Sequence, residues 1–163
     1  MAKKRKKTNQ SASRRKKIFE LSIILYAYAN MNLYLKRLNA KEFLSKEDNE
    51  LKFELETVLR RLTTIINVNR PIVDICTDIV GDILDSDNNI LRNSEALLTG
   101  VNLLIYQHSI KGKQFPLSIV NHLLNIEGYL IDVEKIEIEL SEEMDDKVKI
   151  FCENINKSIQ SKV

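Results

Sequence analysis

Apolar residues recur at helical spacing in the stretch from Ile18 to Leu38, and the rest of the chain can be organised around it. The apolar positions there are Leu21, Ile24, Tyr28, Met31, Leu35 and Leu38, with Leu25 beside them. Their alternating spacings of three and four place them on one side of a helix over about 30 Å. An apolar side of that length predicts a helix that packs against several partners.

Five more segments show the same periodicity, separated by capping or helix-breaking residues. A second helix begins after the cap Ser45, a third at Pro71, a fifth after Pro116 and a sixth at the cap Ser141, while a fourth ends near Gly112. The apolar stripes of these helices are Leu51, Leu55, Val58, Leu62, Ile65; Ile72, Ile75, Cys76, Ile79, Val80, Ile83; Leu97, Val101, Leu104, Ile105; Ile119, Leu123, Ile126, Leu130, Val133; and Met144, Val148, Phe151, Ile155, Ile159.

The segment Glu134 to Leu140 alternates apolar and acidic residues as a strand would, but the sequence offers no second strand for it to pair with, so we expect a helix there. With only four glycines and two prolines in 163 residues, long helices are favoured over hairpins. The sequence therefore predicts an all-α, single-domain bundle of about six amphipathic helices. Gly100, in the middle of the fourth helix, is expected to allow a neighbouring helix to approach closely.

Charge divides the chain into two parts. Residues 1–17 carry nine of the 25 Lys and Arg residues and no acid, so the remaining 16 basic residues face all 23 acidic ones and the rest of the chain has a net charge of −7. The nine cations of this basic segment are Lys3, Lys4, Arg5, Lys6, Lys7, Arg14, Arg15, Lys16 and Lys17. Such a segment is expected to be disordered when alone. We therefore expect a flexible basic tail over residues 1–17 and a bundle domain over 18–163.

Acidic residues gather on one side of the third helix. Asp74, Asp78, Asp82 and Asp85 fall within about 80° of one another at 100° per residue, and we call this set the aspartate ridge. Most charge runs are solvated helix faces. The ridge could also dock a basic partner or the chain's own basic segment, whereas four carboxylates stacked on one helix do not surround a metal ion.

Catalytic and metal-binding motifs are missing from the sequence. Neither His108 nor His122 has an acid or a cysteine three or four residues further on, and Cys76 and Cys152 lie far apart within apolar patterns, which favours buried free thiols. No phosphate-binding loop, nucleophile elbow or zinc-binding motif is present. We expect a protein that is not an enzyme and needs no cofactor or metal.

The first helix leaves two matters open. Tyr26 and Tyr34 share a second face, where they either border the core with their hydroxyls in water or form a contact surface for a partner. The basic residues followed by LSIILYAYA could also act as a signal peptide, although Glu20 interrupts the apolar run and the helical pattern continues past it. We expect no membrane span and a cytoplasmic location, or a nuclear one if the source is eukaryotic or viral.

Two hypotheses of function follow. In the first, the basic segment attaches to DNA or RNA without base specificity, while the acidic bundle holds a protein partner or a second copy. In the second, the chain is a small helical inhibitor or immunity-type protein that neutralises a protein target through the aspartate ridge. A basic segment that serves only solubility, or that folds back onto the ridge, is the simplest alternative to both.

Overall fold

The computed structural model of this protein contains six α-helices in the part of the chain that it describes. They are α1 (Ala2–Asn39), α2 (Lys46–Val68), α3 (Val73–Ser86), α4 (Asn93–Lys111), α5 (Leu117–Asp132) and α6 (Ser141–Lys162), with a short 3-10 turn over Arg70–Ile72. The structure describes the main chain of residues 2–86, 93–111, 117–133 and 141–162, and the side chains of residues 12–83, 95–107, 119–133, 146 and 148–162. Within these ranges there is no strand, which confirms the predicted all-α bundle.

α1 is the central helix of the bundle. It packs against α2, α3, α4 and α6, and most extensively against α4. Because partners surround it, α1 buries residues on more sides than the single predicted stripe: Ile18, Leu21, Ile23, Ile24, Tyr26, Ala27, Met31, Tyr34 and Leu38. Its hydrophobic length is therefore accounted for by packing inside the bundle.

Both alternatives predicted for Tyr26 and Tyr34, a border of the core with hydroxyls in water and a contact surface for a partner, were wrong. Their side chains are only 2% and 1% exposed, so neither forms a contact surface and neither borders solvent. The Tyr26 ring lies 4.4 Å from the Phe151 ring of α6, between centroids, and the Arg37 guanidinium lies 5.8 Å from the centre of the Tyr34 ring. Both tyrosines belong to the core because helices cover the second face of α1 as well as the first.

Gly100 has the packing role that the sequence predicted. A Cβ atom added to it would lie 3.1 Å from the Cα atom of Ala27 and 3.4 Å from its Cβ atom. Carbon atoms in ordinary contact are about 3.5–4.0 Å apart. The absence of a side chain at Gly100 therefore allows α4 to approach α1 this closely.

The beginning of α2 is fixed by a capping box and tied to α5. The Ser45 hydroxyl accepts a hydrogen bond from the Asp48 backbone N–H, and the Asp48 carboxylate accepts one from the Ser45 N–H, as the predicted cap requires. The same carboxylate accepts the Tyr129 hydroxyl at 2.5 Å and the Lys41 ammonium at 3.2 Å. The bond from Tyr129 holds the C-terminal half of α5 beside the first turn of α2.

The remaining boundaries match the expectations closely. Pro71 lies in the 3-10 turn rather than in the first turn of α3, and Val133 is 45% exposed just beyond α5 instead of buried in its stripe. α6 begins at Ser141 as predicted. The terminator Gly112, the restart at Pro116 and the ambiguous segment 134–140 lie outside the described residues, as do the side chains of Met144 and His108.

Candidate functional site

The basic segment is continuous with the central helix. α1 extends back to Ala2, so the main chain from residue 2 to residue 17 continues the helix that the sequence pattern begins at Ile18. The described side chains of this part, residues 12–17, are all exposed, and the first buried side chain is Ile18. The core thus begins where the apolar pattern predicts. The prediction that residues 1–17 are disordered when alone stays a prediction, and the side chains of Lys3, Lys4, Arg5, Lys6 and Lys7 lie outside the described residues.

Four of the predicted nucleic-acid-binding residues can be placed. Arg14, Arg15, Lys16 and Lys17 occupy one turn of α1 immediately before the core, and all four are exposed. Successive residues of a helix are 100° apart, so the four cations are spread around the whole circumference of the helix. The structure therefore presents them to solvent in every direction, directly before the first buried residue of the bundle.

The aspartate ridge is exposed and already holds one cation of the chain. Asp74, Asp78 and Asp82 are exposed on α3, and the side chain of Asp85 lies outside the described residues. The Lys162 ammonium at the end of α6 lies 3.0 Å from an Asp82 carboxylate oxygen. This contact with Asp82, supported by the charge of Asp78, raises the pKa of Lys162. The ion pair fastens the C-terminal end of α6 to α3.

Glu54 of α2 pairs with His122 of α5. The sequence pattern did not predict this contact between an acid and a base. The His122 ring Nδ1 makes a hydrogen bond and ion-pair contact with the Glu54 carboxylate, and the Asn125 amide donates to the other carboxylate oxygen at 3.1 Å. Both oxygens of Glu54 are thus engaged by α5. The arrangement is that of a polar clamp between two helices. Local spacing could not reveal it, because the partners are 68 positions apart in the chain.

Beside this clamp, an open groove runs along the first half of α2. Lys46, Asn49, Glu50, Phe53 and Glu54 line it, and its volume is about 490 Å³. Phe53 is 59% exposed, and the edge of its ring faces His122 with centroids 6.2 Å apart. The groove therefore combines an exposed aromatic ring with two carboxylates.

The thiols and the acidic residues fit no metal or redox site in the described part of the chain. Cys76 is buried and its Sγ points to the Ile18 carbonyl oxygen at 3.6 Å, while Cys152 is half-buried, and both are free thiols. Burial raises the pKa of both, with the Ser22 hydroxyl opposing the shift at Cys76. Among the described residues, no three His, Cys, Asp or Glu side chains are grouped so that they could bind a metal ion.

One described helical segment, Ala12–Asn39, is long and apolar enough to cross a membrane by length and composition alone. Half of its most apolar window is buried inside the bundle. A core helix of a bundle and a signal sequence both have these properties. The contacts of α1 with four other helices fit the first of these.

Comparison with known proteins adds no relative. No family model matches the sequence, and neither a curated protein nor a solved structure is significantly similar to it.

Proposed function

We propose that this protein is a non-enzymatic helical binding protein whose basic segment attaches to DNA or RNA without base specificity, while its acidic bundle holds a protein partner or a second copy. The observation that carries the proposal is the exposed turn Arg14 to Lys17, which projects cations in all directions directly in front of a core that starts at Ile18. These side chains contribute nothing to the described core. Their charge is therefore available to a ligand.

Charge on the two parts of the chain favours a polyanionic ligand. The basic segment has nine cations and no acid, whereas the rest of the chain has a net charge of −7. A protein that neutralises Z phosphates of duplex DNA releases counterions, so the logarithm of its affinity falls with the logarithm of salt concentration with a slope of about −0.9Z. Full engagement of the segment corresponds to a slope of about −8. The acidic bundle is repelled by the same polymer and projects away from it.

The distribution of the four placed cations favours contacts to the phosphate backbone over reading of bases. Base readout requires a few side chains that converge on one face towards a groove edge. Arg14, Arg15, Lys16 and Lys17 instead diverge around the helix, which allows contacts to phosphates on both sides of the helix. We therefore expect similar affinity for duplexes of different sequence.

A matched pair of double variants in the full-length chain tests the proposal. R14Q/R15Q removes two exposed arginines from the basic segment, and R60Q/R61Q removes two exposed arginines from the bundle helix α2. Fluorescence anisotropy with duplex DNA and single-stranded RNA, over a range of salt concentrations, measures the effect.

We expect R14Q/R15Q to weaken binding about tenfold or more near 0.1 M salt and to reduce the magnitude of the salt slope by about two, since two phosphate contacts are lost. R60Q/R61Q should bind as the wild type does. Equal affinity of wild type and R14Q/R15Q, or an equal loss in both variants, would contradict the proposal.

A second candidate function rests on the exposure of the aspartate ridge. The pairing of Asp82 with Lys162 indicates that the ridge attracts ammonium groups, and Asp74 and Asp78 are exposed beside it. In this alternative, the protein neutralises a basic protein target through α3. Charge reversal by D78K/D82K should then abolish recovery of a protein partner from the native host, and a partner retained by the variant would refute this assignment.

A further inference from the structure

The end of the bundle that lies away from the basic segment has an exposed apolar surface. Because α1 and α2 form a hairpin and Tyr129 bonds to Asp48, this distal end contains the end of α1, the α1–α2 connection, the first half of α2 and the end of α5. Most of the large apolar side chains that the structure leaves exposed are found there: Leu33, Phe43, Phe53, Ile131 and Val133. Phe43 is 86% exposed. Large apolar side chains left exposed at one end of a bundle favour an interaction surface there.

The distal end is also acidic. Residues 40–56 contain three lysines and six acidic residues, which gives this stretch a net charge of −3. Glu47 and Glu50 are exposed and pair with no other described residue, and Glu50 lines the groove beside Phe53. The Glu50 carboxylate next to the exposed Phe53 ring is suited to Arg and Lys side chains, through an ion pair and a cation–π contact, and Lys46 is the one basic residue among the described residues that line the groove.

The complementary surface on this chain is the basic segment, but a single copy cannot join the two. α1 is one continuous helix, so Lys17 and Asn39 are separated by about 33 Å along its axis, at 1.5 Å per residue. Arg14 to Lys17 lie immediately before Ile18, at the opposite end of the bundle. A contact between Arg14 to Lys17 and the groove must therefore be made between two copies.

We propose that the basic segment of one copy docks in the groove of a second copy, with Arg14 to Lys17 against Glu50 and Phe53. The contact joins two different surfaces, so it is heterologous and leaves each terminal copy with one free end. Assembly should consequently grow with protein concentration and weaken with salt. This inference rests on the proposed function in one respect, namely that the basic segment and the bundle are the binding parts of the chain. Nucleic acid and the groove should compete for the same cations.

Sedimentation velocity of the full-length chain, freed of nucleic acid by nuclease treatment, tests the proposal. One variant, R14Q/R15Q/K16Q/K17Q, lacks the four cations proposed to dock but keeps the groove. The other, E50K/F53S, lacks the groove but keeps the cations, and both of its substitutions are at exposed positions. Each variant alone should sediment as a monomer at low salt, where the wild type forms species that enlarge with concentration.

An equimolar mixture of the two variants is the decisive sample. The intact cations of one variant can dock in the intact groove of the other, so the mixture should form a dimer and nothing larger. A monomeric wild type, a mixture that stays monomeric, or self-association that survives in either variant would overturn the proposal. Nucleic-acid binding by E50K/F53S, measured separately, should be no weaker than that of the wild type, so failure of self-association and failure of nucleic-acid binding are distinguished.

Discussion

The contact between Gly100 and Ala27 offers a stringent test of the packing between α4 and the central helix. Substitution of Gly100 by alanine introduces a Cβ atom 3.1 Å from the Ala27 Cα atom, which is about half an ångström closer than carbon atoms normally approach. The obstructing atom belongs to the backbone of α1. The clash can therefore be relieved only by separating the two helices.

Two opposing effects determine the expected change in stability. Alanine is favoured over glycine within a helix by about 1 kcal/mol, whereas overpacking of a close-packed core costs about 1–3 kcal/mol. G100A should therefore range from nearly neutral to destabilised by about 2 kcal/mol. Gly81 and Gly128 provide matched controls, since a Cβ atom at either position would meet no atom within 4 Å beyond its chain neighbours and the nearby backbone of its own helix. G81A and G128A should each be stabilised by about 0.5–1 kcal/mol.

Urea denaturation followed by far-ultraviolet circular dichroism measures these differences. G100A should be less stable than G81A by about 1–3 kcal/mol, and the corresponding gap in melting temperature should be about 2–4 °C for each kcal/mol. If G100A is stabilised as much as G81A and G128A are, helices α1 and α4 do not meet at Gly100, and the packing described here is wrong.

Two further predictions concern the polar network at the start of α2 and the two thiols. Hydrogen bonding, first of all from Tyr129, lowers the pKa of Asp48. The hydrogen-bonded Asp48 carboxylate therefore stabilises the folded protein at a pH above the ordinary carboxyl pKa. This contribution to the free energy of unfolding is lost as the pH falls through the lowered pKa of Asp48. Y129F should therefore cost about 1–2 kcal/mol in urea denaturation at pH 7, and the loss should shrink below about pH 4; a loss that is independent of pH would contradict this. Because Cys76 is buried and Cys152 is half-buried, a thiol reagent followed by mass spectrometry should label Cys152 first, and prior labelling of Cys76 would refute the assigned burial.

Much of the fold was predictable because the apolar periodicity of each helix is strong. The stripe of α2 is buried at Leu51, Leu55, Val58 and Leu62, and Ser45 caps the helix as expected. Those features depend on residues that are near one another in the sequence. Helix periodicity and capping chemistry reveal such features directly.

The errors arose where burial depends on the neighbours that a helix acquires in the fold. The spacing of Tyr26 and Tyr34 predicts a face of α1 outside the main apolar stripe. Because α1 contacts four other helices, that face is also covered at both tyrosines, and their side chains are buried. The core of α1, in contrast, begins at Ile18, where the apolar pattern begins. No glycine or proline between Ala2 and Ile18 ends the helix, and lysine and arginine are good helix formers, so the backbone continues as a helix without a core to support it.

The features of the candidate sites that sequence could not supply are all long-range. Glu54 meets His122 and Asp82 meets Lys162 because α2 packs on α5 and α3 on α6. No local motif records either pairing. The exposed basic turn, in contrast, was visible in the sequence because charge patterning needs no tertiary contact to be recognised.

The most direct test of the central claim is to measure melting and nucleic-acid binding on the same samples of wild type and R14Q/R15Q/K16Q/K17Q. If the core begins at Ile18 and the turn before it serves binding alone, the melting temperature should change by no more than about 2 °C, and binding to duplex DNA should be lost near 0.15 M salt. A drop in melting temperature of more than about 5 °C, or binding that the variant retains, would contradict the division between a stabilising bundle and a binding segment.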